Sequence, residues 1–476
     1  MNGTDAIALL PLIVLAGTSV LLMLAIAVRR SHGFALGLTL MGLAAAFGCL
    51  WIAAPLAPRQ VTSLLVIDHY SLFYFGLLIT ADFVVVILAY HYLAKQDINR
   101  EEIYIFFLIA TLGGAVLVAS SHFASFFLGL EMLSVSLYAM ISYPHLRRRP
   151  LEAGIKYLVL AAASAAFLLF GMALVYADLG AMELGRMAEL ISVGRPEDVL
   201  LVGGLAMIVT GIGFKLAVVP FHLWTPDVYE GAPAPVTAFV ATVSKGAMFA
   251  LLLRYFYRSS VMTDRQVLLV FVIVAIASML LGNFLALLQD NVKRILAYSS
   301  IAHMGYLLVA FLASGDLAVE AVTFYLVAYF ITTLGAFGVV SALSTSDREA
   351  ESLEDYRALF WHRPALAGAF TVMLFSLAGI PVTAGFIGKF YIVAAGASSA
   401  MWALIIILVV SSVIGLFYYL RIVAIMYAMP DSRPATGALR LSSPEEAVLG
   451  TLTGLLLWLG IYPGPLLHLI RDLLPR

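Results

Sequence analysis

Charge and cysteine are what this chain has least of. Of its 476 residues only 12% are Asp, Glu, Lys or Arg, and the formal net charge is −1. Ordinary soluble domains carry roughly 25% charged residues, so a soluble globular fold is excluded, and the missing basic excess argues against nucleic acid as a partner. The one cysteine, Cys49, lies in an apolar run and reads as a small core residue, which leaves neither a disulfide framework nor a thiolate metal cluster. No glycine-rich nucleotide loop follows a strand, no Cys/His metal spacing occurs, and no Ser-His-Asp arrangement can be built. Redox cofactors and metals therefore have no visible ligands. Linkers, low-complexity tracts and soluble domains are also missing. The N-terminus lacks a basic n-region, so its first apolar run reads as a retained span and not as a cleaved signal.

What is present is apolar sequence: 63% of residues are hydrophobic, with a mean hydropathy of +1.02. The expected fold is an all-α polytopic membrane protein of about fourteen transmembrane helices, at about 20 residues each. They fall at 6–28, 33–54, 70–93, 103–120, 122–143, 151–177, 199–230, 233–257, 266–288, 292–313, 317–342, 364–397, 402–429 and 446–470, the seventh and twelfth being broken. The breaks at 178–198 and 343–363 read as surface helices or loops. Placing both termini outside puts Arg29, Arg30, Lys95, Arg100, Arg147, Arg148, Arg149, Lys293, Arg294, Arg348, Arg357, Arg363, Arg421, Arg433 and Arg440 inside. It leaves Arg59, Arg186, Arg195, Arg254, Arg258, Arg265, Arg471 and Arg476 outside. The inner set is about twice the outer, as the positive-inside rule requires.

The most informative stretch runs from Gly211 to Lys245, GIGFKLAVVPFHLWTPDVYEGAPAPVTAFVATVSK. Lys215 sits deep in an apolar run, where a lysine costs about 2.5–3.5 kcal/mol to insert. Pro220 cannot donate to the Leu216 carbonyl, so the helix is expected to kink or break there. His222 would share the face of Lys215 if the helix continued. Lys245 lies half-way along the next helix. A second break is expected at LAGIPVTAGFIGKFY, where Gly379, Pro381, Gly385 and Gly388 cluster just before Lys389. Interrupted helices in corresponding places point to two inverted five-helix repeats with an ion path between them. The resulting division is 1–100 for helices 1–3, 101–260 for helices 4–8, 261–430 for helices 9–13 and 431–476 for helix 14.

Other titratable groups sit in apolar helices. Glu131 has Ser134 and Tyr138 along its face, and as the one carboxylate deep in the first repeat it is the expected partner of Lys215. Making or breaking that pair would shift both proton affinities; a fixed structural ion pair is the alternative. Lys156 either joins a proton path or snorkels to the interface beside Arg147–Arg149. Lys293 opens the tenth helix as an interfacial anchor or an entry residue. Tyr298, Ser299, Ser300 and His303 continue from it as a polar ladder, His303 being able to pass protons or merely to pack. Asp82 falls within the third helix, and Asp227 and Glu230 are expected to face solvent.

Taken together, Glu131, Lys215 with PFHLWTPDVYEGAPAPVTAF, Lys245 in VSKGAMFALLLRY, QDNVKRILAYSSIAHMGY and GIPVTAGFIGKFYI resemble the antiporter-like membrane subunits of respiratory complex I. The resemblance covers nearly the whole chain. Lys389, where a sister subunit is expected to have glutamate, narrows it to one subunit type, and so does an end soon after helix 14 in place of a long lateral helix. The resemblance implies a proton-translocating subunit of NADH:quinone oxidoreductase in the bacterial inner membrane, with both termini periplasmic. Protons would pass from the cytoplasm to Lys215 and Lys245, through His303 to Lys389, and out to the periplasm. Glu131 would relay the state of a neighbouring subunit, while Lys156, His222, Lys293 and Tyr298 assist. NADH, FMN, iron–sulfur clusters and quinone are expected in partner subunits, and none in this chain. A sodium/proton antiporter of the multisubunit type, or a related hydrogenase complex, shares these motifs. A non-conducting spacer is the third reading, against which the insertion cost of five buried titratable groups speaks.

Overall fold

A computed structural model describes residues 2–96, 99–144, 147–193, 199–257, 265–313, 315–346, 348–430 and 443–472. Arg195, Arg258, Arg433, Arg440 and Arg476 of the two charge sets lie outside the described residues. The N-terminal part comprises α1 (Gly3–Ala8), α2 (Leu10–Val28), α3 (His32–Ala53) and α4 (His69–Ala94). A two-stranded ribbon, β1 (Arg59–Gln60) with β2 (Val66–Ile67), joins α3 to α4. Next come α5 (Ile103–Ala119), α6 (Phe123–Ile141), α7 (Arg148–Leu179), α8 (Leu184–Val193), α9 (Val199–Leu216), α10 (Trp224–Gly231), α11 (Ala234–Phe239) and α12 (Lys245–Tyr257). A π-helical turn, Val240–Ser244, joins α11 to α12. The second half holds α13 (Arg265–Leu287), α14 (Val292–Leu312), α15 (Asp316–Leu343), α16 (Leu359–His362), α17 (Pro364–Ala378), α18 (Ala384–Ser398) and α19 (Trp402–Tyr427). The chain closes with α20 (Ser443–Ile461) and α21 (Gly464–Arg471).

By length and composition, 11 helices among the described residues can cross a membrane, or up to 12 if the bent pair α20–α21 is one span. The apolar helices α5, α17 and α18 are shorter. The expected count of about fourteen requires α5 as a span and α17 with α18 as two halves of one. The last expected helix, 446–470, is corrected: α20 and α21 meet at 80°. Pro463 cannot continue the α20 ladder, and it leads into α21 with a second proline two residues on. The 178–198 and 343–363 breaks carry the short helices α8 and α16.

Burial separates centre from rim. Over an apolar window of 18 residues, the Ala234–Phe256 stretch is 100% buried and α14 94%, whereas α7 is 28%. Leu158, Val159, Phe167 and Phe170 of α7 are exposed, the expected face of a span that meets lipid. At the α7–α9 contact a Cβ on Gly171 would lie 2.6 Å from the Gly204 carbonyl. That close approach of small residues brings the helix of Lys215 against the helix of Tyr157.

Ion pairs between elements join residues of the same expected side. Arg59–Asp5, Arg254–Asp68 and Arg471–Glu320 fall on one, and Arg30–Glu102, Arg149–Glu351 and Arg294–Glu230 on the other. Asp68, at the mouth of α4, is pushed up by burial, yet the bidentate Arg254 holds its carboxyl below the usual range.

Candidate functional site

Both expected breaks are present, and they share one construction. α9 ends at Leu216; Ala217 takes φ 59°, and the Val218 N–H reaches back to the Gly213 carbonyl at 3.0 Å. α17 ends at Ala378; Gly379 takes φ 82°, and the Ile380 N–H reaches the Phe375 carbonyl at 2.9 Å. This six-to-one bond around a left-handed residue is a helix-ending cap. The first break therefore comes four residues ahead of Pro220, which corrects the expectation that proline sets it. His222 is corrected with it: the helix does not continue, so His222 lies in a buried turn and not on the face of Lys215. Trp224 Nε1 donates at 3.0 Å to the Phe214 carbonyl, which also accepts from the Ala217 N–H.

Lys215 is buried in the last turn of α9, donating to Ser134 Oγ at 2.7 Å and Tyr157 OH at 3.1 Å. Glu131, one turn before Ser134 on α6, forms no ion pair with it. The Glu131 Oε1 is buried without a hydrogen-bond partner, so the expected direct pair is corrected: hydroxyls, and not the Glu131 carboxyl, hold the Lys215 ammonium. On the same face of α6, Leu128 and Val135 are exposed, which puts Glu131 beside the outer surface.

Lys245 is the first residue after the π-turn and donates to Ser300 Oγ at 2.7 Å. Ser300 Oγ and Tyr329 OH lie 2.6 Å apart. One turn along α14, His303 Nδ1 meets Tyr325 OH at 2.5 Å and Nε2 meets Tyr419 OH at 3.2 Å. The imidazole stands 5.7 Å from the Tyr329 ring. Lys389 lies 5.1 Å over the Tyr306 ring and donates to the carbonyls of Leu377 and Ala378, both at 2.9 Å, and to Ser412 Oγ at 2.7 Å. Those carbonyls are orphans of the α17 C-terminus, the negative end of a helix dipole. Lysines, a histidine and phenols thus form a buried polar line across the two halves, a layout suited to passing protons.

The remaining expected residues fall elsewhere. Lys156 is half-exposed and pairs with Glu152 at 2.8 Å and Asp227 at 3.0 Å, the surface role among its two readings. Asp227 and Glu230 do not simply face solvent, since both also hold Arg294. Lys293 is fully buried and paired with Glu349, which corrects the interfacial anchor. Tyr298 is corrected too: it leaves the ladder and packs among apolar side chains. Asp82 does lie inside α4, buried and accepting from Thr111 at 2.9 Å. Among the described residues no His/Cys/Asp/Glu group suits a metal ion.

Residues 120–415 match the family model described as NADH:quinone oxidoreductase/Mrp antiporter, TM. NADH-quinone oxidoreductase subunit N of Nitrosospira multiformis is 52% identical, covering 98% of this chain and 96% of that protein. The subunits N of Ectopseudomonas mendocina and Methylococcus capsulatus are each 48% identical over 98% of this chain, covering 96% and 94% of theirs. The chain belongs to the NADH-quinone oxidoreductase subunit N family. Among solved structures, a chain of respiratory complex I from Thermus thermophilus with bound aureothin is 34% identical with a TM-score of 0.82, covering 96% of this chain and 98% of that one. The Mrp complex from Dietzia sp. matches at a TM-score of 0.85 with 20% identity, covering 99% and 97%, a likeness of fold alone. As a member of the subunit N family the chain is a multi-pass membrane protein.

Sequence reasoning missed Tyr157, Tyr325, Tyr329, Tyr419 and Ser412 in this family member. Their one signal is a hydroxyl inside an apolar helix, which a packing tyrosine gives equally well.

Proposed function

We propose that this chain is a proton-translocating membrane-arm subunit of an NADH:quinone oxidoreductase, working beside neighbouring antiporter-like subunits in the bacterial inner membrane. The observation that carries the reading is the buried line Lys245–Ser300–Tyr329 and His303–Tyr325–Tyr419, flanked by lysines at two broken helices. NADH, FMN, iron–sulfur clusters and quinone belong to partner subunits, and energy reaches this chain through contacts. The face bearing Arg147–Arg149 is cytoplasmic and both termini are periplasmic. Residues 101–260 and 261–430 act as inverted repeats, each supplying one broken helix.

Lys215 and Lys245 take protons from the cytoplasmic side; His303 passes them between phenols toward Lys389, which releases them to the periplasm. Each hydroxyl both donates and accepts, so a proton entering at one end leaves at the other as the bonds reverse. Glu131, beside the exposed Leu128 and Val135, senses the neighbouring subunit and biases Lys215 through Ser134. Moving one charge against ~100 mV requires about 2.3 kcal/mol, which a change in that coupling must deliver. Lys156, His222, Lys293 and Tyr298 stand outside the central line.

The test is Lys245→Ala in native membranes, with NADH-driven quinone reduction, proton uptake into inverted vesicles and a native gel for assembly. An assembled complex in which both rates collapse supports the reading. Unchanged rates, or sodium-dependent exchange without NADH, sink it in favour of an antiporter.

A further inference from the structure

On the face that carries Arg147, Arg148 and Arg149, a cavity of about 440 Å³ is lined by those residues together with Tyr92, Glu230, Arg348, Glu349 and Glu351. Its three carboxylates differ in what they hold. Glu351 pairs with the exposed Arg149 and Glu230 with the part-exposed Arg294. Glu349 alone pairs with a lysine that has no exposure: its Oε2 accepts from Lys293, and its Oε1 from Tyr92 OH and, at 3.1 Å, from the Ala234 N–H. Glu349 keeps 14% of its side chain exposed, so one carboxyl touches both the cavity and the interior.

Lys293 also grips the turn that carries Tyr229. Its ammonium donates to the carbonyls of Glu230 at 2.9 Å and Ala232 at 2.6 Å. Beside Glu230 stands Tyr229, whose hydroxyl lies 3.4 Å from Ser300 Oγ, and Ser300 accepts from Lys245. Lys293 and Ser300 are seven positions apart on α14, two turns and about 10 Å along one face.

A purely structural staple does not account for this. The loop is already pinned by Val292 N–H to the Glu351 carbonyl at 2.6 Å, Leu353 N–H to the Asp290 carbonyl at 3.1 Å and Tyr356 OH to the Ala350 carbonyl at 2.8 Å. A buried ion pair adds little stability that apolar packing would not supply.

We infer that Glu349 is the proton-uptake residue of this chain, loading Lys293 from the cavity and, through the Tyr229–Ser300 contact, Lys245. When the Lys293 ammonium gives up a proton inward, the Glu349 carboxylate takes one from cavity water and passes it to the neutral amine, which restores the ion pair. One proton enters for each that moves on, and no other group changes. The inference rests on the proton-translocating reading and adds its entrance.

The experiment uses the whole complex in inverted vesicles, whose outer face is the cavity side, comparing Glu349→Gln, Glu349→Asp, Glu351→Gln and Lys245→Ala. Proton uptake and NADH-driven quinone reduction should fall about tenfold or more in assembled Glu349→Gln and rise several-fold when formate, a small proton carrier, is added. Glu349→Asp should keep most of the rate, and Glu351→Gln all of it. Wild-type rates in Glu349→Gln beside an inactive Lys245→Ala would overturn the inference and leave the function standing. So would a slow Glu349→Gln that formate does not restore, because a staple cannot be rescued by a proton carrier. Wild-type rates in Lys245→Ala would remove both. If Glu349→Gln fails to assemble, Glu349→Asp decides: a wild-type or formate-restored rate supports the inference, and a slow, formate-insensitive one overturns it.

Discussion

The two broken helices end alike and hold their lysines differently. Each stops in the same six-to-one cap, but the left-handed residue is Ala217 in the first and Gly379 in the second. An alanine there costs about 1 kcal/mol more than a glycine. Lys215 lies before its break and is held by two side-chain hydroxyls, Ser134 and Tyr157. Lys389 lies after its break and is held by two main-chain carbonyls of the other half-helix, with Ser412 in addition. Carbonyls at a helix C-terminus only accept, and they favour a cation without regard to neighbours. Hydroxyls can turn, so the proposed relay from Glu131 has something to act on at Lys215, while the two carbonyls at Lys389 stay fixed. The first break is built as the adjustable site and the second as the constant one.

That contrast can be broken most severely at Gly379. A Cβ there would lie 2.8 Å from Lys389 Cδ, on a residue already at φ 82°. Gly379→Ala should displace the lysine and cost proton uptake more than about tenfold; a variant that pumps normally would mean the carbonyl seat is unimportant. A smaller effect separates the two seats. Ser134→Ala removes one of two acceptors from a buried ammonium and should slow both quinone reduction and uptake about tenfold. Ser412→Ala leaves two carbonyls in place and should slow them about threefold or less. Equal losses would erase the distinction. The mildest change is Ala217→Gly, which relieves the left-handed alanine and should raise thermal stability by about 1 kcal/mol with rates unaltered. A fall in stability would mean that the alanine methyl packs usefully, and thermal denaturation of the solubilised complex reads either result.

The costly groups were legible in the sequence because cost is a local property. Lys215, Lys245, His303 and Lys389 stand out in apolar runs whatever surrounds them. Both breaks were legible too, although Pro220 drew attention from the cap at Ala217, which carries no residue-type signal. The bend at Pro463 was written in Tyr462-Pro463-Gly464-Pro465 and should have been read as a turn. What could not be read was direction. Tyr298 and Tyr329 are equally tyrosine, and only packing sends one among apolar side chains and the other to Ser300. The pair of Glu131 with Lys215 was inferred by elimination, and elimination cannot see that Ser134 and Tyr157 take the ammonium instead. Glu349 lay in a loop whose fold back onto Lys293 no periodicity announces.

The central claim is that the lysine at the first break is a working proton site coupled to chemistry elsewhere. Lys215→Ala in the assembled complex, followed by quinone reduction and proton uptake in the same inverted vesicles, tests it most directly. The account predicts that both rates collapse together on a complex that still runs intact on a native gel. Rates that stay at the wild-type level would contradict it and make Lys215 a packing residue.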